Sequence, residues 1–328
     1  MASGIRGPLA RWFRGVGTSQ PTRAQRIEGG IWGLLVGDAL GVPYEFNPPD
    51  KIPTPDLIEF EPPAEFRRSH RGVPPGTWSD DGAHALCLLA SLLDCDRLDL
   101  DDLGRRLCDW QQHGYLAVDG IVFDVGVQTS RALQAFRSGT PAIHSGPNDV
   151  GENGNGSLMR VLPLALWHRG SDAELVADAQ QQSKITHGHP RAQLCCALYC
   201  LWARYTLNGM ADPSRLAVAG VRGLIADGSP EQAELEFHIR PDDEPIGKGS
   251  GYVVDSLRSA RMVLTGSNYE AVVRGAIRLG QDTDTTACVA GGIAGLRDGV
   301  DAIPQRWRDA LRGQELFRPL LDRLLARG

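Results

Sequence analysis

Four glycines, Gly29, Gly33, Gly37 and Gly41, recur at every fourth residue of an otherwise apolar segment. Residues i and i+4 share one face of an α-helix, so these four form a narrow stripe with no side chains. Each glycine costs a helix interior about 1 kcal/mol relative to alanine. Four on one face therefore predict a packing purpose, with a second backbone lying directly against this one. Within a membrane such spacing marks helix dimers, but the run from Gly29 to Leu40 is short and contains Asp38. No stretch reaches the roughly 18 consecutive apolar residues of a membrane span, so no membrane partner is expected.

From Ile27 onward the hydrophobic spacing is helical. The stripe ends at Pro43-Tyr44-Glu45-Phe46 and gives way to a proline-rich loop, residues 47–75, long enough to act as a flap over a site. Helices are expected over 83–93, 100–112, 122–136, 158–167, 174–183, 191–207, 213–225, 252–264, 269–279 and 285–296, with one or two more over 304–325. Residues 144–157 and 228–250 are expected to be loops, and no strand alternation is convincing. The expectation is an all-α fold in one compact domain, residues 27–328. Residues 1–26 differ in character: five arginines precede the first acidic residue, Glu28, and Leu9, Trp12, Phe13 and Val16 fall on one helical stripe. Such a basic amphipathic extension suits a transit peptide, a partner-binding arm or a solvated tail.

Thr77-Trp78-Ser79-Asp80-Asp81 and Gln281-Asp282-Thr283-Asp284-Thr285-Thr286 lie near opposite ends of the chain. Each sets hydroxyls beside two carboxylates at the mouth of an apolar helix. Either one alone is equally an N-cap, because Ser, Asp and Thr favour helix starts. Together they form an all-oxygen set suited to hard cations such as Mg²⁺ or Mn²⁺, and four converging carboxylates need such charge between them. The net charge of −6 argues against a broad nucleic-acid surface. The seven cysteines are odd in number and lie mostly in apolar helical patterns, as expected of reduced thiols in a cytoplasmic protein. No His-Cys set completes a zinc site.

Five segments, in order, resemble the signatures of the ADP-ribosylglycohydrolases. They are Gly33 through Glu45, Ser79-Asp80-Asp81, Gly154-Asn155-Gly156-Ser157-Leu158-Met159-Arg160, Thr186-His187-Gly188-His189, and Gly280 through Ala287. The resemblance implies a compact all-α hydrolase with two Mg²⁺ or Mn²⁺ ions that removes ADP-ribose from a modified group. It implies Ser79, Asp80, Asp81, Asp282, Asp284 and Thr285 as metal ligands. Glu45, at the mouth of the site, would serve in catalysis with Asp80 and Asp284. Asp124 would stand near the substrate ribose, Asn155, Gly156 and Ser157 would hold the diphosphate, and Tyr252 would line the adenine side. Many relatives have Thr where this chain has Ser79, and a serine hydroxyl can still ligate.

The residue types suit that chemistry. Cleavage at the anomeric carbon passes through an oxocarbenium-like state. Two metals about 3.5–4 Å apart can hold the ribose hydroxyls and polarise a water, and a carboxylate can move the proton. Glycine amides and the following helix start favour phosphate oxygens. His187 and His189 either contact substrate or are structural. Asp38 is expected to anchor loops by hydrogen bonds. Asp124 is alternatively a helix cap, and Tyr252 a packing residue.

Three functions remain open. The first is an ADP-ribosylarginine hydrolase acting on modified proteins. The second is a hydrolase of serine-linked or free ADP-ribose derivatives. The third is an immunity protein that also blocks an ADP-ribosyltransferase toxin through the basic arm.

Overall fold

The computed structural model describes residues 20–328. Fifteen α-helices order these residues: α1 (Arg23–Gly41), α2 (Asp80–Cys95), α3 (Leu100–His113), α4 (Val127–Arg137), α5 (Ala142–Ser145), α6 (Leu162–Trp167), α7 (Asp172–Lys184), α8 (Pro190–Leu207), α9 (Pro213–Leu224), α10 (Pro230–Ala233), α11 (Val253–Val263), α12 (Tyr269–Ile277), α13 (Thr283–Asp298), α14 (Gln305–Ala310) and α15 (Gln314–Leu325). Among the described residues there is no strand beyond one isolated bridge between Gly154 and Tyr252. The all-α expectation holds.

The glycine stripe meets α13. A Cβ added to Gly29 would lie 2.3 Å from the Gly295 carbonyl oxygen, one on Gly33 2.4 Å from that of Gly291, and one on Gly37 2.2 Å from that of Ala287. At Gly41 it would lie 2.4 Å from the Asp284 Cα. The pairs run in opposite directions along the two helices, so α1 and α13 are antiparallel, with backbones in contact along the whole seam. Alanine would gain about 1 kcal/mol of helix propensity at each position, but heavy atoms cannot approach to 2.2 Å. Close approach wins.

From Ile27 to Gly41 only Glu28 of α1 keeps appreciable exposure, as befits a helix apolar nearly all round at the centre of a bundle. It begins four residues before Ile27, where Thr22 and Gln25 form a capping box. Arg26 Nη1 then donates to the carbonyls of Leu296 and Arg297, both at 2.9 Å, satisfying the far end of α13. The apolar stripe Leu9, Trp12, Phe13 and Val16 lies outside the described residues.

Besides the earlier start of α1 and the short α5 reaching into the loop expected over 144–157, three regions differ from expectation. The helix expected from residue 122 starts at Val127, because Asp124 adopts a left-handed φ of 56° and Gly126 stands at the N-cap. The helix expected from Leu158 starts at Leu162, with turns before it. The loop expected over 228–250 contains α10, N-capped by Ser229, and a π-helical stretch Glu234–Ile239. That stretch is anchored by buried Leu235 and Ile239, which are too few to show as periodicity in sequence. The proline-rich segment is irregular as expected, holding only a 3₁₀ turn at Pro55–Leu57.

Candidate active site and metal centre

Because α1 and α13 are antiparallel, the seam carries the C-terminus of α1 to the N-terminus of α13. Thr283 Oγ1 donates to the Gly41 carbonyl at 2.8 Å. The start of α2 joins them through Asp38, whose carboxylate accepts the amides of Ser79 at 2.9 and 3.1 Å and of Gly82 at 2.7 Å. Asp38 is thus the anchor the sequence suggested. Two helix N-termini, each favouring negative charge, therefore meet at one place. There Glu45, Asp80, Asp81, Asp124, Asn155, Gly156, His187, Asp282 and Thr285 line a cavity of about 240 Å³.

Further contacts fix each wall. Glu45 follows a 3₁₀ turn, Val42–Tyr44, and is flanked by a backbone bridge in which Phe46 N donates to Gln281 O at 2.6 Å. Asn155 Nδ2 donates to Asp282 Oδ2 at 2.8 Å and to Ser256 Oγ at 2.9 Å. Thr285 Oγ1 donates to Asp81 Oδ1 at 3.2 Å, linking the two acidic clusters directly. One oxygen each of Glu45, Asp282 and Asp284 lie within 4.8 Å of one another, and ligand atoms of Glu45, His70 and Asp124 form a second such group.

The charges are costly as they stand. Burial, then the neighbouring carboxylates Asp124 and Asp81, pushes Asp80 well above the usual carboxylate range. Asp81 is raised by burial and by Asp38 and Asp282, and Asp284 by burial and by Glu45 and Asp124. Glu45 is pushed up to about 11 by burial and by Asp124, and Asp124 to about 6 by burial and by Asp282. Divalent cations reverse that logic by supplying the missing opposite charge. Asp81 Oδ2 and Asp284 Oδ2 are buried with no hydrogen-bond partner among the described residues. Orphaned oxygens of this kind are costly and suit cation ligands, so this acidic cluster can hold a metal.

Not every expected residue faces the cavity. Ser79 Oγ caps α2 by accepting the Asp81 amide at 3.3 Å. Ser157 is fully buried with Oγ turned to Ser183 Oγ at 2.8 Å, so the glycine loop presents backbone there rather than this hydroxyl. Tyr252 stands at the rim, 38 % exposed, where its hydroxyl accepts from Arg191 Nη1 at 3.0 Å. His189 caps α8 by accepting the Arg191 amide at 3.2 Å. Two residues escaped the sequence reading. His70, from the proline-rich loop, bonds Glu45 Oε2 through Nε2 at 2.7 Å and packs near Phe46 and Phe123. Gln128 holds the glycine loop, accepting the Gly154 amide at 3.2 Å and donating to Glu152 O at 2.9 Å. Gln128 stands four residues after Asp124, a weak signal; His70 has none in the sequence.

Known proteins resemble this chain over most of its length. The chain is 31% identical over 304 residues to the ADP-ribosylarginine hydrolase Tri1 of Serratia proteamaculans, covering 91% of this chain and 78% of that one. It is 30% identical to the ADP-ribosyl-[dinitrogen reductase] glycohydrolase of Rhodospirillum rubrum, covering 93% and 97% respectively. A solved structure described as an ADP-ribosylglycohydrolase-related protein complex superposes with a TM-score of 0.74 at 30% identity, over 93% of this chain and 98% of that one. The ADP-ribosylglycohydrolase family model matches residues 19–328. With the family model, the sequence relatives and the fold in agreement, the chain belongs to the ADP-ribosylglycohydrolase family and its activity is that of a glycohydrolase.

Proposed function

We propose that this protein removes ADP-ribose from arginine side chains of modified proteins, using two divalent cations, Mg²⁺ or Mn²⁺. The observation that carries the reading is the convergence of two buried acidic clusters on one cleft walled by a glycine loop. Asp80, Asp81, Asp282, Asp284 and Thr285 would hold the ions, with Ser79 at their edge. Bound there, the cations would orient the ribose hydroxyls and lower the pKa of a water. Glu45 then accepts the proton of the attacking water as its oxygen joins C1″. The C1″–N bond breaks and the departing guanidine takes that proton, leaving arginine as its ordinary cation. Asp124 and Glu45 would pair with the guanidinium beforehand, a partner whose fork geometry rewards carboxylates. The backbone amides of Asn155 and Gly156 bear on the diphosphate, with Tyr252 at the adenine side.

Similarity to the arginine hydrolase Tri1 of Serratia proteamaculans and Pseudomonas putida, each at 31% identity, supports the linkage. Seven free cysteines and the lack of any membrane-length helix among the described residues suit the cytoplasm. The test compares Arg-, Ser- and Glu-linked substrates with Mg²⁺, Mn²⁺ and EDTA. Arginine-linked ADP-ribose should be released fastest, and Asp124→Ala should slow it more than serine-linked release. Faster serine-linked turnover by the wild type would overturn the arginine assignment. An added immunity role rests on the basic, aromatic extension, residues 1–26, and binding of a chain shortened before α1 to a transferase toxin would test it.

A further inference from the structure

Arg160 is fully buried and has no carboxylate partner among the described residues. Its guanidinium donates instead to Gln182 Oε1 at 2.9 Å, Gln182 O at 2.7 Å, Gly156 O at 3.3 Å and Thr186 Oγ1 at 2.7 Å. A guanidinium cannot accept, so the Thr186 hydroxyl must be the acceptor in that last bond. Thr186 Oγ1 also lies 2.8 Å from His187 Nδ1, and these are its two polar neighbours among the described residues.

Thr186 is fully buried, which decides the direction of the second bond. If Nδ1–H donated to the hydroxyl, the hydroxyl's own proton would be left without an acceptor, at a cost comparable to a lost buried hydrogen bond. If the hydroxyl donates to Nδ1, every group is satisfied and the ring proton sits on Nε2. His187 is buried beside the Arg160 charge, and burial first, then that charge, pushes it down to about 3, so the ring is neutral. Nε2 has no protein partner among the described residues, and His187 forms part of the cavity wall. A Cβ on either Gly154 or Gly156 would come within 3.3 Å of Nε2. Both positions lack one, which leaves the nitrogen uncovered.

We propose that Arg160 and Thr186 are positioning residues that lock His187 as its neutral Nε2–H tautomer, presenting one hydrogen-bond donor to an oxygen of the bound ADP-ribosyl group. The lock follows from the protein alone; the identity of the acceptor rests on the function proposed above. Arg160 also grips the Gly156 carbonyl, so one buried cation sets the ring proton and the glycine loop together.

The first measurement is the two-bond ¹H–¹⁵N imidazole spectrum of the full chain with Mg²⁺ near pH 7, the His187 signal being assigned by its loss in His187→Gln. The expected pattern is protonated Nε2 and bare Nδ1. A protonated Nδ1 or an imidazolium in the wild type would overturn the proposal without any variant. Thr186→Val should mix or reverse the tautomers and raise KM for the ADP-ribosylated substrate on the order of tenfold, the effect of one hydrogen bond, with little change in kcat. Thr186→Ser should restore both. An unchanged spectrum in Thr186→Val removes the lock, and an unchanged KM removes the contact with substrate. The spectrum needs no turnover, so failure to hydrolyse any ADP-ribosylated protein would overturn the function and leave the tautomer assignment standing.

Discussion

Glycine is used in opposite ways at the two places where it clusters. Along the α1–α13 seam each missing side chain is replaced by a backbone, with gaps of 2.2–2.4 Å at Gly29, Gly33, Gly37 and Gly41 that no Cβ could enter. In the loop at Gly154 and Gly156 the missing side chains make room instead for other side chains at the cleft, Gln128 and His187. Residue type alone does not distinguish the two. Spacing does: four glycines at one helical interval demand a partner helix, whereas glycines alternating with asparagine form a loop whose backbone lines the cleft.

The sharpest way to break this contrast is Gly37→Val. Its branched side chain would meet the Ala287 carbonyl and force the helices apart. Overpacking typically costs about 1–3 kcal/mol when neighbours can yield, and a backbone cannot yield without opening the seam. Loss of soluble folded protein is expected, and a variant melting within a few degrees of wild type would refute the backbone contact as the reason for the stripe.

Next in size, Asp80→Asn and Asp284→Asn should each abolish hydrolysis, with unchanged helical circular dichroism. Their melting temperature without metal should be equal to the wild type's or higher, because burial and like charge oppose these carboxylates in the protein. Retained turnover in either would refute the binuclear reading. A third test uses pH. Asp124 is raised to about 6 and Asp38 to about 7, mainly by burial. The native state therefore holds protons that the unfolded chain, with carboxyls near 4, has released. Stability in EDTA should fall as pH rises from about 4 through 7, and saturating Mg²⁺ should flatten that slope by favouring the ionised native site. A stability rising with pH over that window in EDTA would count against it. Smallest is Gly154→Ala, whose Cβ would lie 3.2 Å from Gln128 Oε1 and 3.3 Å from His187 Nε2. The melting temperature should hold while KM rises a few-fold. A stability loss like that of Gly37→Val would erase the contrast between the two regions.

The same contrast explains how much was legible. The stripe announced that some backbone would touch α1, yet nothing in residues 29–41 says which, and the partner positions Ala287, Gly291 and Gly295 lie far along the chain. The acidic clusters were visible because carboxylates beside hydroxyls are a local pattern. Their joining through Thr285 and Asp81 is not local and needed the fold. Asp124 lines the cleft from a left-handed turn before α4, a conformation that aspartate tolerates and periodicity does not report. His70 was invisible because a proline-rich segment carries no period from which a direction can be read. Ser157 lies in the glycine loop, but its hydroxyl faces the protein interior, a choice made by packing rather than by the motif.

The seam also sets the order in which this protein can come into being. The contacts that assemble the cleft join residues 204 and 242 positions apart, Asp81 with Thr285 and Gly41 with Thr283. At roughly 5–20 residues per second of synthesis, the first helix leaves the ribosome some tens of seconds before its partner exists. Throughout that interval a central, almost wholly apolar helix has no surface to cover it, and one half of the acidic cleft waits without the other. Contacts of such long sequence separation also slow folding itself. The nascent chain is therefore a natural client for chaperones, and any message truncated before α13 yields a product that is both inactive and sticky.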